Sequence, residues 1–308
     1  MGDVSYFLIF IGIIINFAVA AWVFYLFFIK KNVGIELSPL HRLCSTVVLI
    51  VLLLIAGVGV YMLGSQINDI LRAVAYLSIS IVVLIVFKWA VALMRAVEDR
   101  SVKILEMLVG VIEVGDFNLD GHSLHVHNLT MLLYDYLPYN LKIKINSHNL
   151  KYASLLLDIG KLGISRKILN KSGKLEENEW EYMKKHPEIG VSILKTAGTF
   201  DCIYDWVKYH HERVDGRGYY KLKGEQIPLA SRMIAVADTY SAITMSRSYK
   251  PSYSYYDAID ELKLVSGTQL DDELVRIFAD IPPKKVESCM EDVKRKMQFY
   301  DEEKFRVN

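Results

Sequence analysis

Apolar positions follow two regimes along this chain. Through residue 95 they run almost unbroken: Val4 to Ile29 and Leu43 to Asn68 carry no charge, and Ala73 to Phe87 is also uncharged, resuming beyond Lys88 to Met94. A bilayer core of about 30 Å is crossed by about 20 helical residues rising about 1.5 Å each. Three transmembrane helices are therefore expected, at about 6–29, 43–64 and 72–94. The third requires Lys88 near a helix end, its stem in lipid and its amine among the headgroups. The first run lacks the positive start of a secretory signal and is too long for one. Tyr6 stands where N-myristoylation needs Ser or Thr. The first loop holds Lys30, Lys31 and Arg42, the second only Arg72, and Arg95, Arg100 and Lys103 follow the third run. The positive-inside rule then puts the N-terminus outside and everything after the third span in the cytoplasm.

From Val97 onward the pattern becomes amphipathic, with period near 3.6. A connecting helix over 96–115 continues the third span. Further helices are expected at His122–Leu137, His148–Leu157, Glu176–His186, Ile189–Thr196, Phe200–His211, Ala230–Met245, Tyr255–Val265, Asp271–Ala279 and Lys284–Tyr300. Val214 to Pro228, rich in Gly and Lys, reads as a long loop. The fold class is all-α: three membrane helices, a helical domain at 110–285 and a charged helical tail at 286–308.

Composition agrees with two parts, being 52% hydrophobic yet 23% charged. A net charge of +1 gives no electrostatic case for binding DNA or RNA. Cys44, Cys202 and Cys289 are odd in number and far apart, which excludes a thiolate zinc pair or a disulfide framework. Seven of the eight histidines lie between His122 and His211, interleaved with Asp158 and Asp238. Imidazole and carboxylate ligands without thiolates suit iron, manganese or zinc rather than structural zinc.

The order of motifs is specific. Val111-Ile112-Glu113-Val114-Gly115-Asp116 precedes Gly121-His122-Ser123. Leu155-Leu156-Leu157-Asp158-Ile159-Gly160-Lys161-Leu162-Gly163-Ile164 follows, then His186-Pro187-Glu188-Ile189-Gly190. His210-His211-Glu212-Arg213-Val214-Asp215-Gly216-Arg217-Gly218-Tyr219-Tyr220, Arg232 to Asp238 and Arg247-Ser248-Tyr249-Lys250 complete the set. In this order residues 110–285 resemble an HD-GYP domain, the branch of HD phosphohydrolases that hydrolyses cyclic di-GMP. The resemblance implies two divalent metals, iron or manganese ahead of zinc. Asp158 would bridge them, His186, His210 and His211 would serve one, and His122 with Asp238 the other. Asn118 stands where three-metal members place a glutamate. Lys161, Arg247 and Lys250 would meet the substrate phosphates, and Gly218, Tyr219 and Tyr220 would form a partner-docking loop, a GGDEF-type diguanylate cyclase being the expected partner. The setting would be a bacterial inner membrane, with a homodimer formed through the connecting helix.

Three positions depart from the family pattern. Leu157 replaces the histidine of the HD pair and cannot bind metal, which weakens one site. His125, one turn from His122, is the imidazole nearest to a substitute, but neighbouring helical positions diverge; His127 and His148 read as surface or helix polar residues. Tyr220 replaces the proline of GYP, and without a fixed φ the loop is expected to be freer, with an added aromatic surface. Ser248 replaces the proline of RPY. Three functions follow: a membrane-anchored cyclic di-GMP phosphodiesterase, a catalytically inactive receptor or scaffold, or an HD hydrolase of another phosphoester, the last opposed by the GYP-like loop and the Arg247/Lys250 pair.

Overall fold

The computed structural model describes residues 11, 14, 69–113, 121–171, 173–198, 200–245 and 253–306 of the 308-residue chain. Among these, the chain forms helices α1 (Asp69–Glu113), α2 (His122–Tyr136), α3 (Tyr139–Lys142), α4 (Ser147–Leu156), α5 (Arg166–Leu169), α6 (Glu177–Met183), α7 (His186–Ala197), α8 (Tyr204–Lys208), α9 (Leu229–Thr244), α10 (Tyr255–Leu264), α11 (Asp272–Ala279) and α12 (Pro283–Arg306). A single isolated bridge, Ser266 to Leu270, is the nearest approach to a strand among the described residues. The all-α class is thus met.

Two compact units divide at Arg100 and Ser101. In the first, the expected spans at 6–29 and 43–64 lie outside the described residues, Ile11 and Ile14 apart. Tyr76–Leu93 within α1 is the one described segment long and apolar enough to cross a membrane, with mean hydropathy 2.2.

The second unit is built around α2, which is buried on nearly every side. It packs on α4, α9 and α12, and Leu124, Leu129 and Leu133 each remove a full side chain from water, about 1.5–3 kcal/mol apiece. Asn146 caps α4, its side-chain oxygen accepting from the amides of His148 and Asn149.

Several boundaries differ from the sequence expectation, and the differences shape the site. The expected helix Glu176–His186 ends at Met183, and His186 instead opens α7. Pro187 explains this, since its missing N–H is tolerated only in a first turn. The expected helix Phe200–His211 is a 3-10 turn, Asp201–Ile203, followed by the short α8, so His210 and His211 fall beyond its end. Leu157 is the C-terminal cap of α4, fully buried within the core.

Candidate metal centre

Element ends supply most of the cluster. His122 opens α2, Asp158 follows α4, His186 opens α7, and His210 and His211 trail α8; Asp238 alone sits mid-helix, on α9. Gly160 brings two of these ends together. A Cβ there would lie 1.8 Å from the carbonyl oxygen of His186 and 2.5 Å from the amide of Gly190. Only glycine permits the 3-10 turn Ile159–Gly163 to touch the start of α7. That contact sets Asp158 Oδ1 3.3 Å from His186 Nε2.

Asp158, His186, His210 and His211 present ligand atoms that all lie within 4.8 Å of one another. On the other side of Asp158, Oδ2 is 3.9 Å from His122 Nε2, which is 3.0 Å from Asp238 Oδ1. His211 Nδ1 lies 4.0 Å from Asp238 Oδ2 and closes the ring. The six residues expected as ligands therefore meet, four in one tight cluster and His122 with Asp238 as an adjoining pair.

The proton positions in the four-residue cluster suit a cation. His186 Nδ1 donates to Met183 O at 2.8 Å, and His210 Nδ1 donates to Val207 O at 2.6 Å. A carbonyl can only accept, so both protons sit on Nδ1 and both Nε2 atoms carry lone pairs. Those lone pairs face each other at 3.4 Å. Asp158 Oδ1 is buried beside them without a hydrogen bond. Lone pairs and an anionic oxygen converging in a buried site is the arrangement a divalent metal satisfies, and ring nitrogens held from behind by carbonyls are the usual support of such ligands. Burial pulls His186 down to about 4 against the opposing charge of Asp158, so it is neutral and ready to ligate at neutral pH. At Asp158, burial opposes ionisation but is outweighed chiefly by the Lys161 ammonium against Oδ2, so the carboxyl is held well below its usual range.

Lys161 donates to Asp158 Oδ2 at 2.6 Å from within the 3-10 turn, its side chain still 22% exposed. Arg247 and Lys250 lie outside the described residues, as does Asn118. Tyr219 packs against the His211 ring, with centroids 5.0 Å apart. Its phenol is pushed up to about 12 by burial and by the charges of Asp158 and Asp238.

Tyr220 corrects an expectation, because the loop is tied down rather than freer. Glu212, buried behind His211, accepts from the amides of Tyr220 and Leu222, both at 2.6 Å. Gly218 abuts it, a Cβ there meeting Glu212 Cα at 2.6 Å. The Tyr220 ring stands edge-on to Tyr209 at 5.4 Å under the Lys208 ammonium. A proline at 220 has no N–H to give. Tyr220→Pro is accordingly expected to lose a charge-assisted bond, about 1.5–3 kcal/mol, and to lower the midpoint of thermal unfolding by about 2–4 °C per kcal/mol. An unchanged midpoint by circular dichroism would show that the loop draws no stability from this bond.

Sequence reasoning assigned no role to Glu113 or Glu212. Glu113, the last residue of α1, accepts from the Ser123 amide at 2.9 Å and so satisfies an orphan donor of α2 beside His122. Burial pushes its carboxyl up to about 7. Its place in the Val111–Asp116 motif was the available signal; its partner became visible only in the fold. His127, read as a surface or helix polar residue, is buried on Ser154 of α4 and faces Glu106.

Comparison with known proteins fits this geometry. Residues 136–274 match the HD domain family model, a span that includes Asp158, His186, His210, His211 and Asp238 but begins after His122. A 3'3'-cGAMP-specific phosphodiesterase of Vibrio cholerae is 37% identical over 134 residues, 42% of this chain and 26% of its own length. A cyclic di-GMP phosphodiesterase of Vibrio cholerae is 34% identical over 200 residues, 61% of this chain and 40% of its own length. A cyclic di-GMP phosphodiesterase of Thermotoga maritima is 31% identical over 207 residues, 66% of this chain and 54% of its own length. The chain thus spans about half, or less, of the length of these relatives. With the motif order, the matched span and the His/Asp cluster in place, residues 136–274 carry a segment that matches the HD domain family, and Gly218-Tyr219-Tyr220 within it resembles the HD-GYP branch.

Proposed function

We propose that this chain is a membrane-anchored, metal-dependent phosphodiesterase that opens a cyclic dinucleotide, cyclic di-GMP first and 3'3'-cGAMP as the competing substrate. The observation that carries the reading is the convergence of Asp158, His186, His210 and His211, with His122 and Asp238 joined to them through Asp158. In this reading His186, His210 and His211 would hold one ion, His122 and Asp238 a second, and Asp158 would serve both, with iron or manganese ahead of zinc. Bound divalent ions would supply a nucleophile at neutral pH and neutralise phosphoryl charge. The chain's own part is positioning. The carbonyls of Met183 and Val207 aim His186 and His210, while Lys161, at the open edge of the cluster, meets a phosphate oxygen. Arg247 and Lys250 neutralise charge that develops on that phosphate. Tyr219 walls the site on the His211 side. The domain sits on the cytoplasmic face of a bacterial inner membrane, paired through the connecting helix, with the Gly218–Tyr220 loop meeting a diguanylate cyclase.

A second reading, an inactive receptor or scaffold, is favoured by Leu157, whose side chain lies in the hydrophobic core instead of offering a ligand. Full-length protein in detergent separates the two. Bound iron, manganese and zinc are measured, and hydrolysis of both dinucleotides is followed with added metal. Leu157→His is expected to raise metal content and rate together. Micromolar nucleotide binding without turnover in either form would establish the receptor. Metal content and rate both unmoved by Leu157→His would place residue 157 outside the ligand set.

A further inference from the structure

Of the six expected ligands, His122 alone lies before the matched residues 136–274. The backbone on either side of it is held by two helices that also lie outside that span. Gly121, just before it, takes a left-handed conformation with φ 80°. It lies directly against α12: a Cβ there would collide with Val293 Cγ1 and come 3.2 Å from Met297 Cγ. Ser123, just after it, gives its amide to Glu113 Oε1 of α1 at 2.9 Å.

The two holders are tied to each other. Lys296 of α12, next to Met297 and one turn on from Val293, donates to Glu106 Oε2 of α1 at 3.0 Å. Glu106 and Glu113 stand seven residues apart, about two helical turns, and so share one face of α1. Asp292 Oδ2 lies 3.1 Å from the same ammonium and accepts from Asn128 Nδ2 of α2 at 3.3 Å. A closed triangle results. Glu106 and Lys296 join α1 to α12, Gly121 and Asn128 join α12 to α2, and Ser123 joins α2 back to Glu113. The side chains of Lys296 and Glu106 are only 27% and 17% exposed. Removing one of them leaves the other charge partly buried and short of a partner, which costs far more than breaking a pair in open water.

We propose that Glu106 and Lys296 are a positioning pair for His122: they lock α1 to α12, and the two helices together set the backbone from Gly121 to Ser123 that carries the imidazole. The inference rests on the metal-binding reading for what His122 does, and adds an input to it. The helix so locked, α1, also contains Tyr76–Leu93. A shift or turn of α1 is then felt at the half of the site that lacks an imidazole at Leu157.

The test is hydrogen exchange, read by mass spectrometry on the full, metal-free chain in detergent micelles. Lys296→Met is expected to speed exchange over residues 121–127 by about tenfold or more, the size that loss of a charged hydrogen bond implies, while α7 keeps its wild-type rates. Glu106→Gln should do the same, and the double variant no more than either single one, since both remove one interaction. Lys296→Arg, which keeps the charge, should exchange like wild type. In zinc titrations Lys296→Met is expected to retain the first ion and to bind the second about tenfold more weakly, the low end for loss of a partner behind a ligand. Wild-type exchange over 121–127 in Lys296→Met, equal acceleration in every peptide, or a second zinc bound at wild-type affinity would overturn the proposal. If the wild-type chain takes up no second ion, the two-metal reading fails, and the exchange pattern still decides whether the pair sets the backbone around His122.

Discussion

Asp158→Asn is expected to lower metal affinity by at least about 100-fold and to carry dinucleotide hydrolysis down with it. Loss of a partner behind a ligand already costs about 10–100-fold, and Asp158 stands in the centre of the site. Its two oxygens face His186 on one side and His122 and Lys161 on the other. Asparagine keeps the shape but removes the charge held ionised there chiefly by Lys161. It also places amide hydrogens against one set of lone pairs, whichever way the amide turns. Metal content after dialysis, followed by rate at saturating metal, measures the effect. Equal metal content in wild type and variant would mean that the cluster binds without its bridging carboxylate.

Gly160→Ala is expected to be the most disruptive single methyl in the domain. The atoms it meets are backbone: the carbonyl oxygen and carbon of His186 and the amide of Gly190, at 1.8, 2.8 and 2.5 Å. No flexible side chain can yield, so the 3-10 turn and α7 must part. Overpacking in a tight interior costs about 1–3 kcal/mol and sometimes more, and the upper end is expected here. The midpoint of thermal unfolding should fall by roughly 6–12 °C, at about 2–4 °C per kcal/mol. Metal content should fall as well, because the same contact sets the spacing of Asp158 and His186. A stable variant that has lost its metal would assign Gly160 to the site alone; a variant matching wild type in both would show that the contact relaxes freely.

Much of this was legible in the sequence because the site is made of local motifs. Asp158-Ile159-Gly160-Lys161 and His186-Pro187 each place a candidate ligand beside turn chemistry within a few residues, so their resemblance to HD-GYP motifs was enough to nominate them. The helical period likewise gave the all-α class. What stayed hidden depends on contacts between segments distant in sequence. His186 was placed at the end of a helix because the apolar period runs through it; Pro187 decides otherwise, and the packing of Gly160 shows why the break is useful. Tyr220 looked like a loosened proline because its amide partner, Glu212, is found only once the loop folds back. Lys296 carried no signal at all, being one more charge on the tail helix until α12 is laid against α1.

Leu157 has a consequence that reaches past chemistry. As a side chain fully removed from water, it contributes about 1.5–3 kcal/mol to the core. An imidazole in its place would bring a polar ring whose second nitrogen also needs a partner in the interior. Binding sites commonly hold residues that the fold would be more stable without. At this position the chain lies on the stable side of that trade-off: its domain draws strength from the residue that stands where the HD pattern calls for a ligand. Leu157→His would then melt earlier than wild type when stripped of metal and recover as metal is added, since a ligand that binds only the folded state stabilises it by mass action. Folding strength and occupancy of the second metal would be opposing demands on a single side chain.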